Sequence, residues 1–162
     1  MDLKKDWSKI RKHFNQSMRT SFHVSIGSVN QDNQPTVTPI GTFFLNGNQT
    51  GFYFEAYATK LPLNAKTNRN VCILGVNSSA WLWFKSVFTG RFKYYPAVKL
   101  YGELGVRRRA TAIEVSRFDK RMKALKWSKG YKILWGKNME YVREVTINKA
   151  EKINLKEMTK DL

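Results

Sequence analysis

Residues 23–76 read HVSIGSVNQDNQPTVTPIGTFFLNGNQTGFYFEAYATKLPLNAKTNRNVCILGV, and the order of patterns in this stretch decides the fold. Residues 22–29 are strand-like, and QDNQP is a turn with Asp32 and Asn33 at its centre. Residues 36–45 form a second strand carrying Pro39, which cannot donate to a ladder and so marks an edge or a bulge. NGNQTG, residues 46–51, is the next turn, and residues 52–56 are a third strand. Ala58 or Thr59 opens a short helix that runs to about residue 67. Residues 71–76, VCILGV, are fully apolar, as a central fourth strand should be. Thr59 and Lys60 stand at the helix start, where unpaired N–H groups and a partial positive charge favour a phosphate. The stretch therefore predicts a β-barrel edge built to hold a phosphorylated ligand.

Outside this stretch, Leu3, Trp7, Ile10 and Phe14 recur at helical spacing over residues 3–18, with Lys4, Lys5, Lys9, Arg11 and Lys12 on the other face. Such a basic amphipathic helix can lie on a membrane or bind a partner, but more often packs its apolar face on its own domain. Residues 79–96 carry Trp81, Trp83, Phe84, Phe88, Phe92, Tyr94 and Tyr95, a density that fits extra core, a dimer contact or a ligand wall. Residues 98–106 form a strand in which Gly102 and Gly105 suggest a bulge or a close backbone approach. Ser116 is expected to cap a helix whose Phe118, Met122 and Leu125 share a face. Residues 140–147 alternate as a last strand, and the polar tail EKINLKEMTKDL is expected to fray. These elements make a mainly β domain, a barrel of about six strands with flanking helices. It is a single unit over 1–162: N-terminal helix 1–18, core barrel 22–110, C-terminal helix and last strand 116–150.

Composition narrows the partners. With 162 residues, 42% hydrophobic and 14% aromatic, the chain can bury a core and is not disordered by composition. No apolar run approaches the ~20 residues needed to cross a bilayer. The start MDLKKDWSKIRKHF has charges where a signal peptide needs its apolar region, so a cytoplasmic protein with no membrane partner is expected. The single Cys72 fits a reducing compartment and is expected to be a buried small hydrophobe. Against 12 acidic residues stand 29 Lys and Arg, a net charge of +17. That excess favours anionic partners, or is a solubilising surface; its one tight cluster is Arg107, Arg108 and Arg109.

The motifs in 22–110 resemble the pyridoxamine 5′-phosphate oxidase-like superfamily, the FMN-binding split barrels. The residues that carry the likeness are Ile26 to Val29, Asp32 to Pro35, Thr38-Pro39, Phe52 to Phe54, Thr59-Lys60, Asn68 to Val71 and LYGEL around Gly102. The resemblance implies a six-stranded split β-barrel and a homodimer with FMN in a cleft at the subunit interface. It implies that Lys60 pairs with the FMN phosphate and that Thr59 hydrogen-bonds to it. Thr36, Val37, Thr38 and Pro39 would face the isoalloxazine and give it backbone hydrogen bonds, while Phe54 and Glu55 would line the ribityl or phosphate end. A Lys at a helix start suits a dianion, and an edge strand can satisfy the polar rim of a flavin. The pattern departs from the oxidases themselves. TVTPIG contains no arginine, Ala58-Thr59-Lys60 replaces Ser-Arg-Lys, and Arg143 is the nearest candidate for their C-terminal substrate-binding residues. Vitamin B6 oxidation is therefore not expected.

Other chemistries find little support. His13 and His23 have no metal-ligand spacing, so no metal site is expected. No nucleophile–base pair, GxGxxG or GxxxxGK occurs. The leading expectation is an FMN-dependent oxidoreductase acting on a small substrate. Its alternatives are a non-catalytic flavin carrier, sensor or stress protein, a heme or deazaflavin in the same cleft, and, least favoured, a nucleic-acid-binding barrel.

Overall fold

The computed structural model describes residues 1–135 and 139–162. Residues 136–138, which the expected 116–150 unit spans, lie outside the described residues.

Two local hairpins start the barrel. β1 (Val24–Val29) turns into β2 (Pro35–Ile40) through a loop in which the Asn30 side-chain oxygen accepts from the backbone N–H of Asp32 and Gln34, each at 2.9 Å. β3 (Phe43–Leu45) and β4 (Thr50–Phe54) make the second hairpin. The single strand expected over 36–45 is thus two strands, broken at Gly41 and Thr42. Thr42 Oγ1 donates to the Phe54 carbonyl and accepts from the Phe54 N–H, both at 3.2 Å, so a side chain takes the place of a ladder bond and turns the chain.

This break changes the strand count. Among the described residues the sheet has seven antiparallel strands, not six, in the order β2-β1-β5-β6-β7-β4-β3, with β5 (Asn70–Val76), β6 (Ala97–Arg109) and β7 (Tyr141–Lys152) in its middle. Its two edges, β2 and β3, are separated in sequence by two residues. The sheet therefore curls into a half-barrel. β7 pairs with both β6 and β4, so the barrel extends past residue 110.

The core lies inside the curl. Ile26, Phe43, Tyr53, Ile73, Leu100, Leu104 and Val145 meet Trp7, Ile10, Phe14 and Met18 of α1 (Trp7–Thr20), whose apolar face packs on its own barrel. Outside, α4 (Ala112–Arg121) and α5 (Lys129–Trp135) cover a second cluster of Phe44, Phe52, Phe54, Phe118 and Val142. The helix cap expected at Ser116 is instead Thr111, where Glu114 completes a capping box; Ser116 lies inside α4. Two arginines of α4 reach the edge strand β3. Arg121 donates to the Phe43 carbonyl at 2.7 Å and Arg117 to that of Leu45 at 2.9 Å. Burial pushes the Arg121 guanidinium down to about 10, and it stacks on the Phe44 ring.

Three smaller expectations change. α2 (Lys60–Asn64) is shorter than 59–67. Cys72 is half-buried rather than buried, because alternate residues of β5 face away from the core. The tail is docked rather than frayed: the Phe92 N–H donates to the Met158 carbonyl at 2.8 Å, and Lys152 to that of Leu162 at 2.9 Å. Among the described residues no helix is long and apolar enough to cross a membrane.

Two predictions follow from the packing. A Cβ on Gly102 would lie 2.2 Å from the Thr146 carbonyl oxygen of β7, where backbone must give way. Gly102→Ala should lower the unfolding free energy by about 1–3 kcal/mol in urea titrations. The half-buried His13 sits 2.9 Å from the Gly75 carbonyl, and burial lowers its pKa from 6.5. The unfolded chain then binds the proton more readily, so His13 costs stability as pH falls from 6.5 through its lowered folded value. His13→Gln should flatten the pH dependence of the thermal midpoint in that window.

Candidate functional site

The site is assembled around one carboxylate. Glu55 follows β4 and its side chain is 8% exposed. Arg143 on β7 grips it through Nε at 2.5 Å and Nη2 at 3.3 Å, Arg107 on β6 approaches at 3.3 Å, and the Tyr53 hydroxyl donates to it at 3.3 Å. Arg107 and Arg143 stand opposite each other in the β6–β7 register, an arrangement of like charges that would repel without a carboxylate between them. Burial works against the charge on Arg143, and Glu55 more than offsets it, so the guanidinium pKa is raised. Burial, with Glu55 adding to it, holds the Tyr53 phenol well above its ordinary value. Arg143 also donates to the Gly105 carbonyl at 3.0 Å, and Arg107 lies over the Tyr141 ring at 3.7 Å.

Glu55, Arg107 and Arg143 form one wall of a cleft of about 500 Å³. The opposite wall is α2 and its flanks, with Thr59, Leu63 and Lys66. Among the described residues three cations (Lys66, Arg107 and Arg143) face one carboxylate, so the cleft is net positive. Thr59 is the N-cap of α2, and its hydroxyl makes no capping bond. Beyond α2 lies the free edge of β2. Asn64 of α2 donates to Thr36 Oγ1 at 2.8 Å and to Ser28 Oγ at 2.9 Å, tying helix to strand. The Asn30 N–H bonds the Gln34 carbonyl, which fixes the ladder phase and leaves Pro35, Val37 and Pro39 pointing their backbone groups away from β1. Both prolines lack an N–H, so Val37 offers the one outward donor of this edge beside outward carbonyls.

Of the residues singled out from sequence, Glu55 and Thr59 line the cleft. Thr36, Val37, Thr38 and Pro39 form the β2 edge next to α2. Lys60 opens α2 but does not line the cleft, where Lys66 stands instead. Phe54 is buried against Phe118 in the outer cluster. The Arg107–Arg109 cluster divides by strand alternation. Arg107 takes the cleft, Arg108 binds Glu114 at 2.7 Å and Glu144 at 2.7 Å, and Arg109 is exposed. The pairing of Arg107 with Arg143 was not legible, because it depends on the register of two strands separated by residues 110–140. Of the aromatic segment, Trp81, Trp83, Phe84 and Phe88 lie in α3 (Ala80–Thr89), Phe92, Tyr94 and Tyr95 follow it, and none lines this cleft. Among the described residues no group of His, Cys, Asp and Glu is placed to hold a metal ion.

Comparison with solved structures places this architecture. An FMN-binding protein from Syntrophomonas wolfei superposes with a TM-score of 0.59 at 16% identity, covering 94% of this chain and 95% of its own. A provisionally assigned pyridoxamine 5′-phosphate oxidase from Listeria innocua gives 0.53 at 15% identity, covering 90% and 98%. The fold is that of the pyridoxamine 5′-phosphate oxidase-like split barrels. HutZ, described as a heme storage protein of Vibrio cholerae, has the same split barrel, with a TM-score of 0.54 at 12% identity over 94% of this chain and 95% of its own. No protein-family model and no curated protein matches the chain. At such identities the likeness concerns the split-barrel fold alone.

The Glu55–Arg143 pair makes a direct prediction. Arg143→Met should cost about 3 kcal/mol of stability, since it strips a buried carboxylate of its main partner. The double variant Glu55→Leu/Arg143→Met should be more stable than Arg143→Met alone in urea titrations.

Proposed function

We propose that this chain binds FMN in the cleft between α2 and the β6–β7 arginines, as one half of a homodimer, and serves as an oxidoreductase for a small substrate. The observation that carries the proposal is the net positive cleft against α2, the helix that Asn64 ties to the open edge of β2. Its donor set suits the two ends of FMN. Arg107 and Lys66, with the Thr59 hydroxyl, supply fixed charge and a donor for a phosphate dianion. Val37 supplies one N–H and one carbonyl, the complement of the imide rim of a flavin, while Thr36, Thr38 and Pro39 shape the edge around it. Glu55 keeps the two arginines in place, and Phe54 holds β4 from behind. When bound, FMN would supply the hydride-transfer chemistry that the side chains do not. A cleft of about 500 Å³ lies within the range of small-molecule sites. An FMN-binding protein among the structural neighbours supports the same reading.

A second reading has its own support. Among the described residues the only carboxylate lining the cleft is locked by two arginines and is not available to move protons, which suits a flavin carrier without turnover. The heme storage role given for HutZ makes heme the competing cofactor.

The test is the visible spectrum of the purified protein before and after incubation with FMN and gel filtration. Flavin bands should travel with a dimer-sized peak. Arg107→Ala and Lys66→Ala should each weaken FMN at least tenfold, as loss of a charge-assisted phosphate contact requires. Lys60→Ala should have a smaller effect. Retention of hemin in place of FMN would overturn the assignment, and turnover with a nicotinamide donor no faster than that of free FMN would favour the carrier.

A further inference from the structure

The apolar residues of α3 are turned outward. Trp81 is 70% exposed, Phe84 58% and Phe88 75%, and the three form a row, Trp81 stacked on Phe84 with ring centroids 6.3 Å apart and Phe88 tilted against Phe84 at 4.5 Å. Their spacing puts them on one face of the helix. The opposite face is fixed. Trp83 packs edge-on against the buried Phe92 at 5.2 Å and donates to the Asn77 carbonyl at 2.9 Å, while Ser86 is buried. Ser79 caps the start of α3 and Gly90 ends it in a left-handed conformation, so the helix is well formed at both ends. A rigid helix that spends its anchoring face on the barrel and shows a row of three aromatics to solvent is built to meet something apolar.

The surroundings say what that is. Lys85, Arg91 and Lys93 flank the aromatic row, and with Leu82 and Phe92 they line a shallow depression beneath α3. From residue 56 to residue 102 the sequence contains no Asp or Glu and seven Lys or Arg. Two copies of this face would bring those charges together in a chain that already carries +17. An anionic surface with an apolar interior meets both properties at once. Rings of Trp and Phe are stable at the boundary between headgroups and acyl chains, and flanking cations reach lipid phosphates.

We propose that α3 is a peripheral docking element for anionic phospholipid bilayers, with Trp81, Phe84 and Phe88 entering the interface and Lys85, Arg91 and Lys93 engaging the headgroup phosphates. The helix is far too short to span the bilayer and lies along its surface. This inference replaces the expectation of no membrane partner and is independent of the cleft and of what the cleft holds.

The full chain is tested by co-sedimentation with vesicles of phosphatidylglycerol and phosphatidylcholine in equal parts, and with phosphatidylcholine alone. It should sediment with the first and much less with the second. Trp81→Ser/Phe88→Ser removes exposed rings only, so its circular dichroism should match the parent, while partitioning into anionic vesicles drops at least tenfold. Lys85→Glu/Lys93→Glu should also drop at least tenfold, as two charges near an anionic surface require. Failure of the parent chain to sediment with phosphatidylglycerol vesicles at low salt overturns the proposal. So does unchanged sedimentation of Trp81→Ser/Phe88→Ser, which would reduce the attraction to charge alone. A parent dimer that this double variant converts to monomer, with no vesicle binding by either, would assign α3 to a contact between copies and overturn it as well.

Discussion

Two adjacent residues, Gly41 and Thr42, carry the chain from one edge of the sheet to the other. The strand before them pairs with β1 and the strand after them with β4. The five strands between these edges must therefore arch over a gap that the backbone spans in a few ångströms. Thr42 makes the crossing possible, because its hydroxyl serves as both donor and acceptor for Phe54, replacing backbone bonds that the change of direction removes. The closed core, the position of β7 next to β4 and the meeting of Glu55 with Arg143 all depend on that arch.

The two edges are treated in opposite ways. The carbonyls of β3 are satisfied by Arg117 and Arg121, which α4 lowers onto them, and that edge is sealed. The β2 edge is left open, but prolines at 35 and 39 remove donors that a foreign strand would need. What remains there is one amide and a few carbonyls, too little for strand pairing. The asymmetry leaves one edge of the sheet open yet poorly suited to pairing with a foreign strand.

Much of this was legible in the residues. The hairpin turns, the Thr59–Lys60 helix start, the apolar face of α1 and the close approach at Gly102 each rest on local chemistry that a short window of sequence contains. The break at residues 41–42 was not, because TPIGTFFL is continuous in strand propensity and only the distant Phe54 shows where it bends. The cap at Thr111 was readable as Thr-x-x-Glu, yet the apolar spacing of Phe118, Met122 and Leu125 drew the helix start later. Of the cleft, the sequence showed the α2 side and the arginines only as isolated candidates. Lys66, just past the end of the short α2, lines the cleft and Lys60 at its start does not, a difference set by how the helix sits on the barrel.

The cleft is made from parts that have no proximity until the barrel exists. Glu55 comes from the end of β4, Arg107 from β6, Arg143 from β7 and Lys66 from the loop after α2. An unfolded chain cannot present this set to an anion. Occupancy of the site is therefore thermodynamically linked to folding of the whole domain. A ligand present at a hundred times its dissociation constant would add about 2.7 kcal/mol to the unfolding free energy. That is a large share of what holds a domain of this size together, so the abundance of the folded protein in a cell would follow the supply of whatever it binds.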